Sequence, residues 1–311
     1  ENNSGKTSIL EAIQLLCSRT NLEPLSEMMI HRGEYFWNDN DKENRELDIK
    51  HIFYGHEIET NTRLSISGTQ ENILEQLNLS IGMHSTSLPN FIKDLSEDVT
   101  VHNLLKLLGN NQENIDNEFL DNFTKSELSV EWIHGDASKE IKIPLSSNDC
   151  LNKNIVRNSS KEIIDGQQRI QSVTSSSLTI QKMLRLFDEL VLTPEEKLIT
   201  EALQIIEPKI ERIASITSTK IRNSESKASF VVRLSDSNQR VPIGSMGDGV
   251  WRMLGLALAI VCAKDGVLFV DEIDTGLHFT AMSDMWKLIW ETAKRLNVQV
   301  FATTHNSDCW R

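Results

Sequence analysis

The sequence predicts an α/β fold built on a parallel sheet, and three observations carry that prediction. From residue 248 onward the chain reads helix, strand, helix, strand, the alternation that parallel strands with crossover helices leave in a sequence. A Gly5-Lys6-Thr7 triplet stands where a helix begins. An apolar run, Val267-Leu268-Phe269-Val270, ends in the acidic pair Asp271-Glu272.

Residues 4–17 place Ile9, Leu10, Ile13, Leu16 and Cys17 at helical spacing. A polar, acidic stretch covers 38–46. Residues 47–54 and 63–67 alternate apolar and polar side chains, as half-buried strands of an antiparallel β layer do. Residues 71–79 and 88–108 read as helices, the second with Leu104, Leu105, Leu107 and Leu108 on its apolar face. The Asn-, Asp- and Glu-rich 109–122 reads as a loop, 128–133 with 140–145 as a hairpin, and 146–158 as turns. Thr193-Pro194-Glu195-Glu196 reads as a helix start, with Thr193 as cap and acids near the positive end of the dipole. Strands are expected at 210–218 and 228–234. Then come a helix at 248–263, a strand at 267–270, a helix at 278–296 and a strand at 298–303. The resulting plan is an N-terminal lobe at 1–70, a mostly helical insertion at 71–190 and a C-terminal lobe at 191–311.

Composition narrows the class. The 311 residues are 39% hydrophobic and 25% charged, as in an ordinary folded protein. No apolar run reaches the ~18 residues of a membrane span; the longest, 253–262, reads as a buried helix. A net charge of −13 argues against a DNA-coating surface, because phosphate attraction needs clustered Lys and Arg. Cys17, Cys150, Cys262 and Cys309 are scattered without a CxxC pair, which fits a reducing cytoplasm better than zinc or a disulfide framework. The chain starts at Glu1 with no targeting segment, and the strand that normally precedes a phosphate loop is missing, so a fragment is expected.

Four motifs carry chemistry. In the pattern G-x-x-x-x-G-K-[ST] the first glycine would fall just before Glu1, and the rest is present. Asn3, Ser4, Gly5, Lys6, Thr7 and Ser8 form the candidate nucleotide loop. Gly5 allows the tight turn, Lys6 reaches the β/γ-phosphates, Thr7 offers a hydroxyl to Mg²⁺, and the helix aims its positive end at the anion. At the carboxyl end of 267–270, Asp271 is the second candidate metal residue and Glu272 the group that polarises water. A two-metal nuclease built on Asp271, Glu272 and Asp274 fits less well, because the pair follows an apolar strand in a chain that has a phosphate loop. Ala302-Thr303-Thr304-His305 delivers His305 to the same edge, within reach of a γ-phosphate or the attacking water. Gly244-Ser245-Met246-Gly247-Asp248-Gly249 opens the long apolar helix, with Arg252 one turn in. Ser245, Gly247 and Gly249 make it a second anion-suited helix start.

In this order the motifs resemble the head of an ABC-type ATPase. Ser4 to Thr7 resembles Walker A, Ser245 to Gly249 a divergent signature motif with Met246 in place of a glycine, Phe269 to Glu272 Walker B, and His305 the switch histidine. Asp274-Thr275-Gly276-Leu277-His278 resembles the stretch after Walker B in the OLD-like (overcoming-lysogenization-defect) group. The SMC and recombination-repair ATPases are more distant relatives. The resemblance covers about 1–20 and 240–311; Gln70 and Gln76 are Q-loop candidates by position only.

The resemblance implies a P-loop head that binds ATP and Mg²⁺, hydrolyses ATP through Lys6, Glu272 and His305, and closes head-to-tail on a second copy supplying Ser245 and Gly247. It also implies an effector protein or further domain, of nuclease or toxin type, in bacterial anti-phage defence. Two rival readings remain: a nucleotide-dependent scaffold with little turnover, and a DNA-end or chromosome-organising head, which the acidic charge disfavours. His31, His51, His56 and His84 lack ligand spacing and read as surface or β-layer residues. His278 reads as a helix cap, and Trp251, Trp286, Trp290 and Trp310 as core or interface anchors.

Overall fold

A computed structural model describes residues 5–38, 41–58, 62–70, 72–83, 126–146, 148–159, 169–217, 228–237 and 239–306. The chain divides into two units, residues 1–10 with 168–311 and residues 11–167.

The first unit is organised by the helix that is apolar on every side. A helix with no polar face must be buried, and from Met253 to Cys262 this one is. Its central position follows from what packs on it. Helices α4 (Ile180–Leu190), α5 (Glu196–Gln204) and α7 (Phe279–Leu296) and strand β8 (Ile170–Val173) all contact α6 (Asp248–Cys262). Strand β8 pairs in parallel with β12 (Val267–Val270), and β12 with β13 (Gln299–Ala302). All of β12 is buried, as expected for a central parallel strand, and its Phe269 ring stacks on Phe301 of β13 at 5.4 Å. A Cβ on Gly266 would overlap the Arg169 carbonyl, so only glycine lets β12 start this close to β8. An antiparallel sheet of β9 (Ile210–Thr217), β10 (Ala228–Leu234) and β11 (Arg240–Pro242) completes the unit.

Helix ends here follow local chemistry. His278 caps α7 by accepting the Thr280 N–H at 3.4 Å, and Lys294 and Arg295 lie in the last turn, where cations meet the negative end of the dipole. Thr193 does not cap α5. Glu195 precedes the helix instead, and the Thr193 hydroxyl donates to the Leu190 carbonyl at 2.7 Å, closing the end of α4. Burial pushes the Cys262 thiol up to about 12, so it is protonated at neutral pH.

In the second unit, β3 (Arg63–Gln70), β4 (Ile73–Met83), β5 (Ser126–His134) and β6 (Ala137–Pro144) form an antiparallel meander. Leu77, Leu79 and Ile81 alternate into its core beside Leu128 and Val130. The helix expected at 71–79 is therefore a strand. Ile73, Leu74 and Leu77 happen to satisfy helical spacing, while the two-residue period shows only from 77 to 81. Among the described residues the stretch 71–190 holds more strand than helix, and 84–125 and 160–168 of it lie outside the described residues. The helix read at 88–108 and the loop at 109–122 lie outside the described residues, whereas the hairpin of β5 and β6 stands as expected.

A second sheet joins β1 (Tyr35–Asn38), β2 (Asp41–Leu47) and β7 (Leu151–Asn152). The polar 38–46 is thus largely strand, and Arg45 lies over the Tyr35 and Trp37 rings at 4.7 and 4.6 Å. The strand expected at 47–54 is instead two short 3₁₀ turns, Ile49–Ile52 and Tyr54–His56. Ile49, Ile52 and Phe53 sit three and four apart, and Asp48 binds Lys50 at 2.8 Å and His51 at 3.3 Å, contacts that favour a turn. The polar 146–158 adds β7 and a short helix, α3 (Lys153–Ser159). Helix α2 (Glu23–Arg32) ends on Gly33 at φ 77, a left-handed cap that glycine adopts freely. Helix α1 (Lys6–Ser18) begins in the first unit; its Leu10 is buried but Ile9 is 61% exposed.

Candidate functional site

Parallel pairing puts the carboxyl ends of β8, β12 and β13 on one edge, where open α/β sheets bind ligands. Val270 stands in register with both Val173 and Ala302. The residues that follow each strand therefore leave the same edge: Thr174, Asp271 and Thr303.

The first turn of α1 meets them. Gly5 has φ 75, and its carbonyl accepts the Ile9 N–H at 3.0 Å, the first hydrogen bond of the helix. The Thr7 hydroxyl lies 3.2 and 3.3 Å from the two Asp271 carboxylate oxygens. Lys6 Nζ lies 3.5 Å from His305 Nδ1, and His305 Nε2 lies 3.3 Å from Glu272 Oε1. Lys6, Thr7, Asp271, Glu272 and His305, which the sequence spreads across 300 positions, converge. The Glu272 and His305 side chains are 34% and 37% exposed, open enough to meet a ligand. Asn3 and Ser4 lie outside the described residues, and Ser8 is exposed on α1.

Glu272 has φ 48, a left-handed backbone that a non-glycine residue adopts at a cost of roughly 1–3 kcal/mol. Several contacts hold it there. Its N–H donates to Thr303 Oγ1 at 2.8 Å, its Oε2 accepts the Thr275 hydroxyl at 3.1 Å, and its carbonyl accepts the Thr275 N–H at 3.0 Å. Thr303, nearly buried, also donates its hydroxyl to Asp271 Oδ1 at 2.5 Å. One threonine thus orients both acids. Sequence reading passed over it, although aligning the apolar strands 267–270 and 299–302 sets Thr303 beside Asp271. Thr303→Val keeps the shape but strands the Glu272 N–H, so we expect a loss of about 1–3 kcal/mol. Thermal melting checks this, with Thr303→Ser close to wild type; a Val variant as stable as wild type would refute the role.

The Gly-rich segment lies in the same unit. Ile243–Ser245 forms one 3₁₀ turn, and the exposed Ser245 donates its hydroxyl to the Pro242 carbonyl at 2.7 Å. Gly247 has φ 94 and leads into α6. A Cβ on Gly249 would sit 3.4 Å from the Gly276 carbonyl, so this helix start packs closely on the turn after Glu272. Thr304 donates to Asp274 Oδ1 at 2.7 Å across the same turn. Gln76 belongs to the meander, where its amide donates to Ser65 and Asn78 at 2.9 and 2.8 Å.

A sequence model of the AAA ATPase domain, AAA_15, matches residues 1–309. An "ATP/GTP phosphatase" of Helicobacter pylori is 30% identical over 80 residues, a match covering 25% of this chain and 22% of that protein. The match therefore spans about a fifth of that relative's length. Among solved structures, an Smc head bound to the C-winged helix domain of ScpA aligns with 99% of this chain and 81% of its own, at 12% identity and a TM-score of 0.45. The SMC head domain from Thermotoga maritima aligns with 99% of this chain and 79% of its own, at 10% identity and a TM-score of 0.36.

Proposed function

The chain belongs to the AAA ATPase domain family, and from that premise we propose that it binds MgATP at the edge of its parallel sheet and hydrolyses it as an ABC-type head. One observation carries the reading: Lys6 and Thr7 at a helix start meet Asp271, Glu272 and His305 from two strand ends. An amine, a hydroxyl and two carboxylates around one helix N-terminus suit a polyphosphate with its cation.

The donor set fits Mg²⁺. This ion takes oxygen ligands, usually one or two carboxylates together with substrate phosphates. Thr7 Oγ1 and the Asp271 carboxylate already face each other, so both would hold the ion. When bound, it neutralises charge developing on the phosphates. Lys6 binds the β/γ-phosphates and His305 contacts the γ-phosphate. Glu272 orients a water and takes its proton as the water oxygen bonds to the γ-phosphorus. The bond from that phosphorus to the β–γ bridging oxygen breaks, leaving ADP and phosphate. Positioning and charge neutralisation do most of the work.

Closure by a second copy is part of the proposal. Ser245, Gly247 and Gly249 of one protomer would cover the γ-phosphate of the other, making ATP the glue of a head-to-tail dimer. The head would then switch an effector of nuclease or toxin type in cytoplasmic anti-phage defence. Among the described residues no helix is long and apolar enough to cross a membrane.

Steady-state phosphate release tests the chemistry. Purified chain with excess MgATP should release many phosphates per site, at a rate per chain that rises with protein concentration as dimers form. Release of one phosphate per site or none would instead support a nucleotide-dependent scaffold. A rate per chain independent of concentration, with monomer mass in MgATP by light scattering, would remove the dimer. Salt-dependent DNA binding would support the chromosome-organising alternative.

A further inference from the structure

Arg252 is 3% exposed on a helix whose following residues, through Cys262, are buried and almost wholly apolar. Burying a guanidinium is costly unless its donors are matched. Burial lowers the Arg252 pKa while the charges of Asp271, Glu272 and Asp274 oppose that shift, and an arginine stays cationic.

Both Nη atoms donate to two turns, while the buried Nε makes no hydrogen bond among the described residues. Nη2 donates to the Asp271 and Glu272 carbonyls, both at 3.0 Å. Nη1 donates to the Thr174 carbonyl and, at 3.4 Å, to that of Ser175. Four carbonyls just past the carboxyl ends of β8 and β12 are thus gathered on one side chain. Space is kept for this. A Cβ on Gly276, whose φ is 77, would lie 4.0 Å from the Arg252 Cβ, and one on Gly255 would lie 2.8 Å from Ser177 Oγ in the turn after β8. A planar fork can hold two adjacent carbonyls with one nitrogen and a second turn with the other; a lysine ammonium is a single point.

We infer that Arg252 is a positioning residue for the hydrolysis proposed above: by clamping the Asp271 and Glu272 carbonyls to the turn after β8, it holds Glu272 at φ 48 and so sets where its carboxylate points. The inference rests on that reading. Arg252 touches no reacting atom and acts only through Glu272. Thr303 fixes the N–H side of Glu272 and Arg252 the carbonyl side, so the peptide planes on both sides of this strained residue are tied.

The test is a double-mutant cycle of Arg252→Lys and Glu272→Gln. It is read by phosphate release, single-turnover where release is slow, and by binding of a non-hydrolysable ATP analogue. General-base chemistry contributes roughly 10²–10⁴-fold, so a misdirected base should cost Arg252→Lys about 10- to 100-fold in kcat. Analogue affinity should stay within about threefold, because no Arg252 contact is spent on nucleotide. In the Glu272→Gln background the same change should slow the residual rate by no more than about twofold, since residues acting as a unit are non-additive. Arg252→Met fills the same volume without a buried charge and serves if the lysine variant will not fold; analogue-induced stabilisation reports folding in each. Wild-type kcat in both Arg252 variants, an undiminished loss in the Glu272→Gln background, or parallel loss of analogue binding would overturn the inference. Wild-type chain that releases no phosphate overturns the hydrolysis reading itself, a failure visible before any variant is made.

Discussion

Changing Glu272 to glutamine should leave MgATP bound and slow phosphate release by about 10²–10⁴-fold, the range for removal of a general base. The substitution is nearly isosteric, and the surroundings show why it should be clean. Glutamine keeps an oxygen that can accept the Thr275 hydroxyl, which lies 3.1 Å from Glu272 Oε2. The contacts that Thr303 and Arg252 make to this residue at φ 48 reach only its own backbone N–H and carbonyl, so the strain is the same for either residue. What is lost is the ability to take a proton from water and the charge 3.3 Å from His305 Nε2. Fold and nucleotide affinity should therefore stand while chemistry fails. Because bound ATP is then hydrolysed slowly, this variant is also the one in which a nucleotide-bound dimer should accumulate. Unchanged phosphate release would remove Glu272 from the mechanism and leave the scaffold reading.

The candidate site was unusually legible because each of its parts lies at one end of a strongly patterned element. Val267 to Val270 is a buried strand by composition alone, and the first polar residue after it must leave the sheet at its carboxyl edge. The same logic applies to His305 after β13, and Lys6 and Thr7 begin a helix that needs no tertiary information to be seen. The residues that set the geometry were harder to read. Thr303 reads as one of two adjacent threonines, and only the parallel register with β12 distinguishes it from Thr304. Arg252 carries a fainter mark, a lone charge at the head of an apolar helix. Its partners are backbone carbonyls 19 to 78 positions away, which no spacing encodes.

The strand errors in the fold reading arose where the local apolar pattern was absent or ambiguous. Strand β2 is mostly charged, so it has no apolar period. Its place comes from pairing with Tyr35–Asn38 and from Arg45 over two aromatic rings. Residues 49–53 and 73–77 carry apolar side chains at spacings that fit a turn of helix and a strand about equally well. Local pattern could not choose, and tertiary context did: Asp48 drew the first into 3₁₀ turns, and the neighbours of β4 drew the second into the meander.

Lys6→Ala should have the second large effect, and its direction on stability separates function from folding. Lys6 is the first residue of α1, where the helix dipole presents partial positive charge. A cation there is disfavoured by roughly 0.3–1 kcal/mol, and alanine is the better helix former. The variant without ligand should thus melt at the wild-type temperature or slightly above it, even though Lys6 Nζ approaches His305 at 3.5 Å. Nucleotide reverses the ranking. A charged hydrogen bond to phosphate is worth about 1.5–3 kcal/mol, so affinity for an ATP analogue with Mg²⁺ should fall roughly 10- to 100-fold. Ligand at 100 times its Kd stabilises a protein by about 2.7 kcal/mol. At a concentration that saturates wild type by that margin, the variant should lose half or more of the stabilisation, and multiple-turnover hydrolysis should vanish. A lysine kept where the helix disfavours it is explained by the anion it meets. If the variant melts well below wild type without ligand, or keeps the full analogue-induced shift, Lys6 holds the fold and the phosphates are bound elsewhere.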